Sequence, residues 1–453
     1  MLFSSFTFLL YFLPAVVLLH RVLPGRLQNA FLLLTSLLFY AWGDAGQVPL
    51  FAVLLFVNWG LARLLGRTEK QGLRRAWLLL GLGTDFGALL FYKYTGFLLG
   101  MLGLQPAFAA GLRLPLGISF FVFQAAGYLI DVYRKQTAPE RSLITFGAFL
   151  FLFPQLIAGP IVRYSDMSTA LHRHRKPDSR ALESGIALFV AGLAAKVLLA
   201  NPLGEAYNSL RAVPADMLCA WASLAAYTLQ IYFDFMGYSV MAVGLGRMLG
   251  FSFPRNFNHP YAAGSVTDFW RRWHITLSGW FRDYVYIPLG GSRRGRPRTA
   301  VNLLVVWCLT GLWHGADWNF LLWGFWYFLL LSGEKFIFTS RWALSARLRR
   351  IVTLLGVMLG WAMFVSDGLG DFAKYLSELF SFHLSADALF WLREYCGILL
   401  LGTVFCVPAM VEGCKRLCRQ YSWLRCAAVL GALVLCLAAL AKSSYNPFLY
   451  FRF

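Results

Sequence analysis

Runs of about twenty apolar residues recur along this chain, separated by short loops rich in arginine. A helix of that length matches the hydrocarbon core of a bilayer. In lipid every backbone N–H and C=O must be satisfied inside the protein, so only helices or closed barrels can span. Barrel strands would alternate over about ten residues; the runs here are continuous. The expected fold class is therefore an all-α polytopic integral membrane protein. Only 14% of the residues are charged, against about a quarter in a soluble domain.

The net charge of +20 would suggest nucleic acid in a soluble protein. Here the positive charge sits between the spans, as the positive-inside rule requires, so the expected partner is the bilayer and not nucleic acid. The first span has no basic leader and no small-residue cleavage site, so it is expected to stay as a span.

Charge also sets the topology. Arg63, Arg67, Lys70, Arg74 and Arg75 mark a cytoplasmic loop. Spans near 5–20, 30–43 and 49–62 precede it, which places the N-terminus outside. Spans near 77–97 and 115–134 follow. The apolar stretch 143–161 has basic residues on both flanks and is interrupted by Pro154, Gly159 and Pro160. A re-entrant segment is expected there. Spans near 183–200 and 217–247 come next. From 250 to 300 there are eight arginines and two aspartates, a net +6, which places that stretch in the cytoplasm or at the inner interface.

Val301–Leu331 is apolar but broken at Trp313-His314-Gly315-Ala316-Asp317. Its halves, about a dozen residues each, are too short to span. A second re-entrant hairpin is expected, with His314 near its apex. After a span at 351–366, five acidic against two basic residues give 367–394 a net −3, which suits the outside. Spans near 396–412 and 426–441 complete the count. The expectation is about ten spans plus two re-entrant segments in one domain, 1–453, with both termini outside a plasma membrane.

Eight cysteines show no disulfide framework. Cys406, Cys414, Cys418 and Cys426 cluster, but without a nearby histidine or a C-x-x-C pair no metal is expected. His172 and His174 in a basic loop, and His20, His259 and His383 near span ends, read as surface histidines.

Ionisable side chains in lipid are expensive and mark functional sites by default. His314 is the leading candidate: it can take a proton from a hydroxyl, or it can be a packed core histidine bonded to a carbonyl. Asp317 follows the same break. His274 lies in the run Asp268-Phe-Trp-Arg271-Arg272-Trp-His274, with Ser278, Arg282 and Asp283 beyond it. The alternative for this run is an interfacial amphipathic helix, anchored by Trp270, Trp273 and Trp280. Arg293, Arg294, Arg296 and Arg298 serve as positive-inside anchors or grip an anionic donor. Gly290-Gly291 is a turn and not a phosphate loop.

Arg255-Asn-Phe-Asn-His-Pro-Tyr261, the run from Asp268 to Gly291, and Leu312-Trp-His-Gly315 together resemble the membrane-bound O-acyltransferase family, over a core of about 255–330. The likeness is greatest to its bacterial branch of alginate O-acetylation and D-alanyl-lipoteichoic acid transfer proteins. The resemblance implies a central funnel, with His314 as the catalytic residue and His274 as its partner. It implies a donor thioester from the cytoplasm, with acetyl-coenzyme A expected or an acyl carrier protein in its place, and no bound cofactor. It implies a partner outside the membrane, resembling an SGNH hydrolase, that modifies a polysaccharide. Asp268, Arg271, Arg272, Ser278, Arg282 and Asp317 are the expected supporting or donor-binding residues.

The tail Asn446–Phe453 resembles the alginate-acetylation subgroup, which favours acetyl over D-alanyl transfer and a bacterial inner-membrane location. Tyr450 is expected either to carry the acyl group as a transient ester or to anchor the tail at the interface. A transporter is the rival from another class, since broken helices also mark transport sites; a scaffold for soluble acyltransferases is a third reading.

Overall fold

The computed structural model describes residues 1–104, 106, 108, 111–157, 159–213, 216–337, 345–385 and 387–442. Among them the regular structure is helical throughout. Five stretches are both long and apolar enough to cross a membrane: Gly25–Arg67, Ser179–Arg211, Ala346–Val365, Asp387–Cys406 and Ser422–Lys442. The chain divides into two compact units, Met1–Phe189 with Ser239–Pro254, and Val190–Tyr238 with Arg255–Phe453.

In the first unit, a π-helix (Thr7–Phe12) leads into α1 (Leu13–Val22), and with α2 (Gly25–Asp44), α3 (Val48–Arg67), α4 (Gln71–Met101) and α5 (Ile118–Tyr133) these overlap the expected spans, α4 extending several residues beyond its span at each end. The loop from Thr68 to Lys70 joins α3 to α4. Gly81 lets α4 lie against α5: a Cβ there would sit 2.4 Å from a Leu129 methyl. Between α3 and α4, Asn58 Nδ2 donates to Asp85 Oδ1 at 2.7 Å, both residues fully buried.

The expected re-entrant stretch is short and broken. It forms α6 (Leu143–Phe151), an interruption at Leu152, and a single turn, α7 (Phe153–Leu156). Every residue from 145 to 157 is buried. Irregular backbone at such depth needs internal partners. Ser142 Oγ caps α6 through the Thr145 N–H at 3.2 Å, and Ser36 Oγ accepts the Phe153 N–H at the break at 3.1 Å. Next come α8 (Tyr164–Leu171) and α9 (Ser179–Ala194).

The second unit takes in α10 (Asn201–Arg211), part of the long α11 (Met217–Met248), and two seven-residue helices, α12 (Val266–Arg272) and α13 (Ile275–Phe281). Then come α14 (Gly295–His314), α15 (Trp318–Phe336), α16 (Ala346–Val365), α17 (Gly368–Leu379), α18 (Asp387–Cys406), α19 (Pro408–Gln420) and α20 (Ser422–Lys442). The stretch before α10 is a π-turn, Ala195–Ala200. It carries Lys196, which forms a buried ion pair with Asp234 of α11.

Two expectations change. The halves of the His314 hairpin have 20 and 19 residues, not a dozen. At 1.5 Å per residue each rises about 30 Å, so neither half is too short to span, and the two still form a hairpin. The expected span 396–412 ends at Cys406, because Pro408 starts a new helix. That helix, α19, holds Lys415, Arg416 and Arg419 and has no buried residue.

Candidate active site

Two close approaches build the hairpin. Gly311 of α14 faces α15 so tightly that a Cβ would lie 2.3 Å from the Phe320 carbonyl oxygen. Gly324 of α15 meets the Trp307 carbonyl oxygen in the same way, at 2.4 Å. Small residues at such a crossing let the backbones touch. Asp317 begins α15 by accepting the Trp318 N–H, so the structure gives it a capping role. Gly315 is needed for a neighbour, not for backbone freedom: a Cβ there would overlap the Phe320 ring at 2.0 Å.

This packing fixes His314 as the last residue of α14, 6% exposed. Its ring sits edge-on to Trp313, Trp323 and Phe364, with centroids 4.7, 4.9 and 5.1 Å away. A histidine in an aromatic cage is oriented and desolvated, which suits a proton acceptor whose neutral form is required.

His274 does not lie inside a helix. It interrupts α12 and α13 with a left-handed backbone, φ 44° and ψ 54°. A β-carbon makes that region costly, and such strain concentrates at functional sites. The residue is 1% exposed. Asn256 holds it: the Ile275 N–H donates to the Asn256 carbonyl oxygen at 3.0 Å, and His274 Nδ1 lies 3.2 Å from Asn256 Oδ1. Phe235 stands edge-on to the imidazole at 4.7 Å, and Trp313 is 6.0 Å away. Burial pushes the pKa of His274 down to about 3, so the ring is neutral at physiological pH.

The break between α12 and α13 also removes the amphipathic-helix alternative. Trp270, Trp273 and Trp280 are 8%, 3% and 7% exposed. Trp270 packs on Trp307 and Tyr327, and Trp273 on Trp361, at 4.7 to 4.8 Å. Trp270 reaches His314 through Trp323, and Trp273 reaches His274 through Phe257 and Phe235, while Trp280 packs on Phe281 and Tyr284; all three belong to a buried aromatic core, not an interfacial belt.

The supporting residues separate into groups. Arg272 pairs with Asp268 at 2.9 Å, one helical turn apart on α12. Ser278 Oγ donates to the Trp270 carbonyl oxygen at 3.3 Å and ties α13 to α12. Arg271 is exposed. Arg282 pairs with its neighbour Asp283 at 2.7 Å and is also exposed. Arg293, Arg294, Arg296 and Arg298 are exposed around Gly290 and Gly291, whose φ values of 107° and 56° confirm the turn. Tyr450 lies outside the described residues.

Elsewhere, Cys414 and Cys418 share α19, and all four clustered cysteines are free thiols. Of the histidines read as surface residues, His172, His174 and His383 are exposed and His259 is half-buried, but His20 is 1% exposed. Beside it, Gln28 Nε2 bridges the backbone carbonyl oxygens of His20 and Arg175, at 3.2 and 2.8 Å. His172 Nε2 lies 2.9 Å from Glu140.

The sequence reading passed over two residues. Asn256 belongs to the Arg255–Tyr261 run, but nothing in the sequence ties it to His274. Glu334, near the end of α15, accepts the backbone N–H groups of Val266 and Thr267, the latter at 2.9 Å, and the Thr267 hydroxyl at 2.7 Å. It therefore satisfies the first turn of α12, which leads to His274.

Residues 119–367 match the model of the membrane-bound O-acyltransferase family. The probable alginate O-acetylase AlgI of Azotobacter vinelandii is 39% identical over 84% of this chain and 78% of its own length. The peptidoglycan O-acetyltransferase of Helicobacter pylori is 30% identical over 100% of this chain and 98% of its own length. The teichoic acid D-alanyltransferase of Bacillus subtilis is 28% identical over 53% of this chain and 65% of its own length. This multi-pass membrane protein belongs to the membrane-bound O-acyltransferase family, and it is an acyltransferase.

Proposed function

We propose that this protein moves an acetyl group from a cytoplasmic thioester across the membrane, for O-acetylation of a polysaccharide outside. The observation that carries the reading is the pairing of two buried histidines on one tryptophan, with His274 and His314 at 6.0 and 4.7 Å from Trp313. The relatives that share most of the chain's length are named for O-acetyl transfer to alginate and to peptidoglycan; the D-alanyl relative shares about half.

His314 is the general base. It takes the proton of the acceptor hydroxyl as the oxygen attacks the thioester carbonyl. The C–S bond breaks, and the thiolate leaves with the proton that His314 returns. His274 orients the acceptor or stabilises the oxyanion. Acetyl-coenzyme A is the proposed donor, with a carrier-protein thioester as the alternative. The exposed arginines from 293 to 298 would meet its phosphates. The acetyl group is then received by an SGNH-hydrolase-like partner outside the inner membrane, with both chain termini on that side. Tyr450 would carry the group as a transient ester.

The test is made in cells of the native host. His314→Ala should abolish polysaccharide O-acetylation while the protein stays at its normal level in the membrane. Full acetylation in that variant would refute the reading. Full acetylation in Tyr450→Phe would remove the ester relay and leave the enzyme.

A further inference from the structure

Two roles for His274 follow from the proposed chemistry, and they need opposite tautomers of the ring. To donate to an oxyanion, the nitrogen facing substrate must carry a hydrogen. To accept from a substrate hydroxyl, it must carry a lone pair. The surroundings of Asn256 distinguish these cases.

Asn256 is 2% exposed. Its Oδ1 position receives the Thr276 N–H at 3.1 Å and the Thr276 hydroxyl at 2.9 Å. A backbone N–H only donates, so the amide atom facing it must be the oxygen and the amide cannot be flipped. His274 Nδ1 lies 3.2 Å from that same oxygen. A carbonyl oxygen only accepts, so the hydrogen of this contact is on Nδ1. The neutral ring has a single N–H, and Nε2 therefore carries the lone pair.

The backbone adds to the grip. The Ile275 N–H donates to the Asn256 carbonyl oxygen at 3.0 Å, and the Asn258 N–H to that of Arg272 at 2.9 Å. These bonds lie on either side of the left-handed His274. The same asparagine thus holds the strained turn and the imidazole it presents.

We propose that Asn256 is a positioning residue that fixes His274 as the Nδ1–H tautomer, so that Nε2 accepts a hydrogen bond from a substrate hydroxyl or amide and does not serve the oxyanion. A lone pair would repel a developing oxyanion, so Nε2 is suited to the acceptor role alone. This inference rests on the acyl-transfer reading for the role, though not for the tautomer.

The experiment is nitrogen NMR of the full-length protein labelled with 15N-histidine, with the His274 signals assigned by their loss in His274→Gln. The wild type should show a protonated, pyrrole-type Nδ1 and an unprotonated, pyridine-type Nε2. The opposite tautomer, or an imidazolium at neutral pH, in the wild type would overturn the proposal. Asn256→Ala should mix the tautomers and lower kcat about tenfold to a hundredfold, the size of losing an orienting partner of a histidine, with little change in KM. Asn256→Asp still accepts from Nδ1 and favours the charged ring, so it should keep activity but move the acid limb of the pH–rate profile to higher pH. A single Nδ1–H tautomer at the wild-type rate in Asn256→Ala would remove Asn256 from the role. A wild type lacking acyltransferase activity would overturn the role together with the reaction, while the tautomer would still be read directly.

Discussion

His274 and His314 lie 40 positions apart in the sequence, yet both rings pack against Trp313, 6.0 and 4.7 Å from its indole. One arrives on a strained turn between two short helices, the other at the end of a hairpin arm. The site therefore depends on the hairpin as much as on the histidines.

Gly311→Val should destabilise that hairpin. Its first side-chain carbon would sit 2.3 Å from a backbone carbonyl that cannot rotate away, and overpacking of this kind costs about 1–3 kcal/mol or more. Thermal unfolding in detergent should show a clear drop. Gly279→Ala is the control, because nothing lies within 4 Å of a Cβ there; equal melting of the two variants would count against the packing described.

Glu334→Ala should weaken both fold and activity. It would leave the N–H groups of Val266 and Thr267 without their acceptor, at about 1–3 kcal/mol for a buried polar group left unsatisfied. Glu334→Gln keeps an acceptor oxygen and should fall between Glu334→Ala and the wild type. Melting curves and acyl-transfer rates of the three proteins check the order.

Stability should also depend on pH through His274. Its folded pKa is about 3, below the ordinary value of about 6.5. The unfolded chain therefore binds the extra proton first. The associated stability is complete above about pH 6.5 and declines as pH falls toward 3, by at most about 1.4 kcal/mol per pH unit. His274→Asn should flatten this decline. An unchanged pH dependence in that variant would contradict a neutral, buried ring.

Much of this was legible in the sequence. The apolar runs fixed the helical class, and the break at Trp313-His314-Gly315 located the hairpin turn. Hydropathy makes its arms too short, because α14 begins at Gly295 among arginines that an apolar window excludes. The tryptophans around His274 were ambiguous because local sequence cannot separate an interfacial belt from an aromatic core. The left-handed turn at His274 that settles this has no glycine to announce it. Asn256 and Glu334 act through partners 18 and 67 or 68 positions away, a relation that only the folded chain provides.

The most direct measurement is thioester cleavage by the purified protein. Detergent-solubilised wild type and His314→Ala would be mixed with radiolabelled acetyl-coenzyme A, and release of free coenzyme A followed. The account predicts cleavage by the wild type and a loss of about a hundredfold or more in the variant, the scale of a general base. Equal cleavage by both proteins would contradict it.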